Sequence, residues 1–253
     1  MFSETAYERT LVVYVIAAVA TFAALWFISA PYGRHKRKGF GPEMNAALAW
    51  GIMEGVALIT MPVVSFVAVQ DLSIAMIVLI ALWTVHYANR AIIYPLSRRR
   101  DDKSLPILIP LLAICFNVLN GYANGLGLAH AAARYDASWL SDPRFIVGVG
   151  LFLIGAYINI SSDRVLLQLR RDKGPGYHIP NKGLHKQVAA PNYLGEILEW
   201  TGWAIAAWTP AGFLFAAYTF ANLAPRAHSH LKWYRATFTE YPKNRKALAP
   251  FLW

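Results

Sequence analysis

Three polar stripes interrupt the apolar second half of this 253-residue chain. In "INISSD", Asn159 and Asp163 stand four residues apart. In "NYLGEILEW", Asn192, Glu196 and Glu199 fall at i, i+4 and i+7, and in "RAHSHLKWY", Arg226, His230 and Tyr234 fall at i, i+4 and i+8. On a helix these spacings stack side chains along one face. A single stripe could be a hydrated helix end. Three in neighbouring segments imply a polar cavity that they share, because a carboxylate in hydrocarbon is costly unless it is paired, neutralised or turned toward water.

A second constellation lies in the first half. Glu54 in "AWGIMEGVAL" has apolar neighbours on both sides, and "WTVHYANRAIIY" brings His86, Tyr87, Asn89 and Arg90 close together. Desolvation favours the neutral form of such a carboxyl. A protonated carboxyl and a tyrosine hydroxyl can both donate to one carbonyl oxygen and hold negative charge that develops on it. The competing reading makes Glu54 the partner of Arg90 in a structural buried ion pair.

The elements that must position these groups are membrane helices. The chain is 57% hydrophobic and 15% charged, against about a quarter charged in ordinary globular proteins. Apolar windows recur at roughly 10–30, 45–69, 72–96, 105–130, 144–161, 193–208 and 210–234, and most are long enough to cross about 30 Å of hydrocarbon. This predicts an all-α, polytopic membrane protein with seven transmembrane helices in a single domain, 1–253, with no room for a separate soluble unit. Glu4 and Glu8 precede the first window where a signal peptide would carry basic residues, so it reads as a retained span. Lys and Arg cluster at 34–38, 98–103, 164–186 and from Arg226 onward, whereas the alternate connections are poor in them. With seven crossings every basic segment falls on one side, which places the N-terminus outside and the C-terminus in the cytoplasm; six would put the tail on the wrong side. The net charge of +10 then belongs to topology and lipid headgroups, not to nucleic acid. The basic loop "APYGRHKRKGFGPEMN" has interleaved aromatics, a composition shared by phosphate sites and by ordinary cytoplasmic loops. Gly148 to Gly155 lacks the third spacing of a dinucleotide fingerprint, and with Gly121 and Gly125 it reads as close helix packing. The lone Cys115 reads as a small packing residue, and no metal-ligand spacing is present.

The stretches "FLIGAYINISSDRVLLQLR", "GYHIPNKGL", "NYLGEILEWTGWAIAAW" and "EYPKNRKALAPFLW" resemble, in order and spacing, the steroid 5-alpha-reductase family. "YGRH", "WGIMEG" and "VHYANRAIIYPL" extend the resemblance over the N-terminal half, without the extra N-terminal domain of the enoyl-CoA reductase branch. The resemblance implies a seven-helix enzyme that uses NADPH to reduce the double bond of a 3-oxo-delta-4 steroid. Spans within 10–130 would mainly form the substrate pocket and 144–253 the NADPH site. By matching position, Asn159, Asp163, Arg170, Tyr177, Asn192, Glu196, Arg226, His230 and Tyr234 would hold the cofactor, while Glu54 and Tyr87 would polarise the C3 carbonyl. Trp50 and Met53 would bound the substrate; Met53 stands where the steroid enzymes commonly carry Gln. One of Arg98, Arg99 and Arg100 would meet the 2′-phosphate, and Glu199 would partner a neighbouring side chain. The resemblance implies a steroid-like substrate and a lipid bilayer as partners, with no obligate protein partner. The endoplasmic reticulum and a bacterial inner membrane fit equally. Competing readings are a methyltransferase of the isoprenylcysteine type using S-adenosylmethionine, a reductase of another sterol, polyprenol or lipid enone, and a small transporter.

Overall fold

Each apolar window folds as helix in the computed structural model, which describes residues 4–97, 103–174 and 176–253. The helices are α1 (Glu4–Phe27), α2 (Ala46–Ala68), α3 (Ile74–Ser97), α4 (Leu108–His130), α5 (Pro143–Lys173), α6 (Pro191–Ala207) and α7 (Pro210–Thr237). Their starts follow local chemistry. Side chains of Asn45, Ser73, Asp142 and Thr209 cap α2, α3, α5 and α7 by accepting from first-turn backbone N–H groups. Prolines open α5, α6 and α7, where the missing N–H is not needed.

Helices α1 to α5 are the five long and apolar enough to cross a membrane among the described residues. Ile16, Val19, Ile59, Phe66, Val85, Val147 and Ile154 are exposed on them, a surface that suits lipid and would be a liability in water. The chain is thus a multi-pass membrane protein. Of the expected seven spans, the last two differ in kind. Helix α6 has 17 residues, only about 25 Å at 1.5 Å per residue. Helix α7 turns from apolar to polar midway, carrying Arg226, His228, His230 and Lys232. Helix α5 also runs past the expected 144–161, continuing to Lys173. A short antiparallel ladder that the sequence does not signal pairs β1 (Glu43–Asn45) with β2 (Ser104–Pro106).

Glycine sets the closest packing. A Cβ on Gly155 would lie 2.6 Å from the carbonyl oxygen of Gly195, and one on Gly202 the same distance from that of Gly148, so the backbones of α5 and α6 touch at two points. Gly121 and Gly125 do likewise for α4 on α2, where a Cβ would come within 2.7 Å of Thr60 and Val64. The glycine patterns are packing devices, as expected. Beside them Trp83 lies 5.1 Å from Trp200 and 5.5 Å from Trp203 between ring centroids. Its indole N–H donates to the Ala57 carbonyl at 2.9 Å, and that of Trp203 to Leu79 at 3.1 Å, tying α2, α3 and α6 together.

The two ends of the bundle differ. At one, Lys103 and Arg34 both lie over the Tyr177 ring, and Val188 pairs with Lys246, so basic connections from across the sequence meet. At the other, Arg134 donates to the Trp208 carbonyl and the Tyr135 hydroxyl to that of Ala207.

Candidate active site

A cavity of about 1130 Å³ opens within the helices. Val13, Ala17, Leu112, Phe116 and Phe215 give it an apolar wall, whereas Arg34, Lys103, Arg170 and Arg226 line it with cations. Cys115, read as a packing residue, is exposed and lines it too.

Helix α2 contributes Trp50, Met53 and Glu54, one turn of a single face. The Asn117 amide donates to the Met53 carbonyl at 2.7 Å, fixing α4 against this turn. Glu54 has no hydrogen-bond partner among the described residues and looks into the void. Helix α3 brings Tyr87, whose hydroxyl accepts from Asn120 Nδ2 at 3.5 Å and so keeps its own proton to give. Asn120 is itself held by the Tyr14 hydroxyl at 2.7 Å and by Asn124 Nδ2 at 2.8 Å.

Just past Tyr87, α3 widens into a π turn over Asn89–Ile93, an irregularity common at functional sites. It carries buried Arg90 inward, over the rings of Trp50 at 4.7 Å and Tyr94 at 5.0 Å, to donate to Asp163 Oδ2 at 3.3 Å. Among the described residues, then, Arg90 forms its ion pair with Asp163 and not with Glu54. Asp163 Oδ1 accepts from Asn192 Nδ2 at 3.0 Å. Asn159 sits behind that wall, buried, and donates to the Asn192 carbonyl at 2.9 Å and to Glu196 Oε2 at 3.3 Å. The contact of α5 with α6 thus joins two of the polar stripes into one surface.

The third stripe faces it from α7. Arg226 donates to the hydroxyls of Tyr193, at 2.9 Å, and Tyr32. His230 shares hydrogen bonds with Tyr193 at 3.2 Å and His35 at 3.3 Å, and Tyr234 accepts from Arg34 Nη2 at 3.4 Å. Arg170 and Tyr177 complete the set of sequence-selected residues on the cavity wall. Arg98, Arg99 and Arg100 lie outside the described residues.

Tyr32, Arg34, His35 and Lys103 were not singled out from the sequence, although the interleaved basic and aromatic loop was a signal for the first three. The Arg34 guanidinium lies over three rings, Tyr177 at 5.3 Å, Trp233 at 4.8 Å and Tyr234 at 4.5 Å, and its Nη1 is buried with no hydrogen-bond partner among the described residues. Burial, then the cations of Arg34, Arg226 and Arg37, hold the His35 imidazole below its ordinary pKa. An unpartnered buried guanidinium nitrogen among other cations and aromatic rings fits an anionic ligand with flat groups, as a dinucleotide has.

Fold and cavity define a multi-pass membrane enzyme with one apolar and one cationic half to its site. The chain belongs to the 3-oxo-5-alpha-steroid 4-dehydrogenase family, whose model matches residues 103–253, and is by that membership an oxidoreductase. It is 40% identical to steroid 5-alpha-reductase DET2 of Arabidopsis thaliana, covering 99% of this chain and 98% of that one. It is 41% identical to human 3-oxo-5-alpha-steroid 4-dehydrogenase 1, covering 92% and 90%.

Proposed function

We propose that this protein uses NADPH to reduce the delta-4 double bond of 3-oxo-delta-4 steroids. The observation that carries the reading is that Glu54 and Tyr87, two groups able to donate to one carbonyl oxygen, line one cavity whose other half gathers cations. Arg34, Arg226, Arg170, His230 and Tyr234 bind the charged part of the cofactor, while Asp163, Asn192 and Glu196, kept in place by Asn159, accept from its amide and hydroxyl groups. NADPH, when bound, supplies hydride to C5. Glu54 and Tyr87 draw electron density from the conjugated alkene toward the C3 oxygen, which makes C5 electrophilic, and then stabilise the enolate oxygen. Met53 and Trp50 bound the substrate beside them. Donors held by a rigid helix pair spend nothing on reorganisation as charge develops.

The basic connections that converge on the cationic mouth support a cytoplasmic-facing site, read with seven crossings and the N-terminus outside. A soluble dinucleotide then reaches the site from water and the steroid from lipid. That arrangement suits an endoplasmic reticulum membrane or a bacterial inner membrane. The experiment is an assay of detergent-purified protein with NADPH and testosterone, progesterone or a non-steroidal enone, following absorbance and product stereochemistry. A 5-alpha product is expected. Thermal stabilisation by S-adenosylmethionine and not by NADPH would overturn the reading in favour of a methyltransferase.

A further inference from the structure

Reduction of an enone consumes a proton as well as a hydride, and nothing assigned so far supplies it. We infer that His86, held by Glu199, delivers that proton to C4; the inference rests on the reductase reading above. His86 Nδ1 and Glu199 Oε1 are 2.7 Å apart, although 113 positions separate the residues in sequence. Both side chains are almost wholly buried, at 4% and 2% exposure. Glu199 Oε2 has no hydrogen-bond partner among the described residues, so the described hydrogen bond of this carboxylate goes to the imidazole. A carboxylate on Nδ1 fixes the ring and leaves Nε2 to carry the mobile proton.

The opposite edge of the ring is where the chemistry lies. His86 lines the cavity, and Nε2 has no hydrogen-bond partner among the described residues. Its ring meets Tyr87 edge-on at 5.0 Å and Trp200 at 4.6 Å, so it is locked beside the hydroxyl assigned to the C3 oxygen. C4 is bonded to C3, which makes a donor next to Tyr87 a donor near C4. The ionisable groups around the imidazole are Glu199 and Glu196 from α6, Arg90 from its own helix and Glu54 from α2, which the reductase reading holds as a neutral donor. Asp163 from α5 and Arg226 from α7 line the same void. The donor is the imidazolium that Glu199 pairs at 2.7 Å.

The step balances. Hydride adds to C5, the alkene pair shifts to form a C3–C4 double bond, and the carbonyl π pair moves onto the C3 oxygen. As the C3 carbonyl re-forms, the electron pair at C4 takes the Nε2 proton; the N–H bond breaks and the C4–H bond forms. His86 is left neutral and regains a proton from water in the cavity. Glu199 neither gives up nor takes a proton in this step and acts as a positioning residue.

The test uses the full-length protein in detergent, with native protein run in parallel. In heavy water and with NADPH, native protein should place one deuteron on a single face of C4. In His86→Gln, kcat should fall roughly 10²-fold or more, the C4 deuteron should appear on both faces, and stabilisation by NADPH should be unchanged. Glu199→Gln keeps an acceptor for Nδ1 but removes the charge. It should move the alkaline fall of kcat to lower pH by about one unit or more, and ¹⁵N-histidine NMR of the protein without cofactor should show the same displacement for the imidazole. A folded His86→Gln that keeps kcat within about threefold and deuterates a single face overturns the inference. So does an unshifted Glu199→Gln profile, which decides the matter even where His86→Gln does not fold. Native protein that fails to oxidise NADPH with any enone refutes the reductase reading itself, a result distinct from either variant's.

Discussion

Replacing Tyr87 by Phe isolates the hydroxyl that the reductase reading places on the carbonyl oxygen. The ring should stay where it is, because its packing 4.9 Å from Trp83 and 5.6 Å from Trp200 is retained. Among the described residues the only hydrogen bond lost is the long 3.5 Å one from Asn120, whose amide keeps its shorter bonds to Tyr14 and Asn124. Folding should therefore lose about 1 kcal/mol or less. The rate should suffer far more. Removing one donor from a developing oxyanion costs about 2.7–4 kcal/mol of transition-state stabilisation, or roughly 10²–10³ in kcat. Cofactor binding should be unaffected, since Tyr87 is not in the cationic half. The assay is kcat at saturating NADPH and enone, beside the thermal midpoint with and without NADPH. Turnover within about threefold of native, or equal losses in turnover and NADPH affinity, would refute the assignment. Glu54→Gln should behave in the same way.

Arg34→Ala removes a guanidinium with a buried, unpartnered nitrogen; a charged hydrogen bond is worth about 1.5–3 kcal/mol, so NADPH affinity should weaken roughly 10- to 100-fold by titration. Arg170→Ala should also chiefly weaken cofactor affinity, and an unchanged Kd would remove Arg170 from the site. Gly155→Ala forces a Cβ to 2.6 Å from the Gly195 carbonyl oxygen and against the backbone of Glu199, where neither helix can yield; a loss of about 1–3 kcal/mol should appear as a lower thermal midpoint. His185, in the loop before α6, is buried against the Ser162 carbonyl at 3.2 Å, and burial lowers its pKa to about 4 from 6.5. Between those values the unfolded chain binds more protons, so stability should fall as pH drops from 6.5 toward 4, by roughly 3 kcal/mol at most. His185→Gln, which can still donate to Ser162, should flatten that segment of the stability profile measured by thermal unfolding.

Local signals made much of this protein legible. Helices α1 to α5 followed from apolar length alone, and the glycines of α5 from their spacing in a lipid-facing segment. The polar stripes were visible because i and i+4 are neighbours on any helix. So was Glu54, because a carboxyl among apolar residues needs a reason to be there. Helices α6 and α7 were legible as apolar windows too, but with polar residues turned toward the cavity they are not among the five described helices long and apolar enough to cross a membrane.

What the residue order determined by itself was which segments are helical, which faces are polar and which end of the bundle is basic. Each of these depends on contacts a few residues apart or on solvent. Tertiary structure alone decided the pairings: Arg90 with Asp163 and not Glu54, Arg34 caged by rings some 140 to 200 positions away, and His86 with Glu199. Hydrogen bonds and ion pairs act over a few ångströms. Which side chains come that close is set by where a glycine lets two backbones touch and a π turn swings a guanidinium inward, neither of which can be read from the periodicity of one segment.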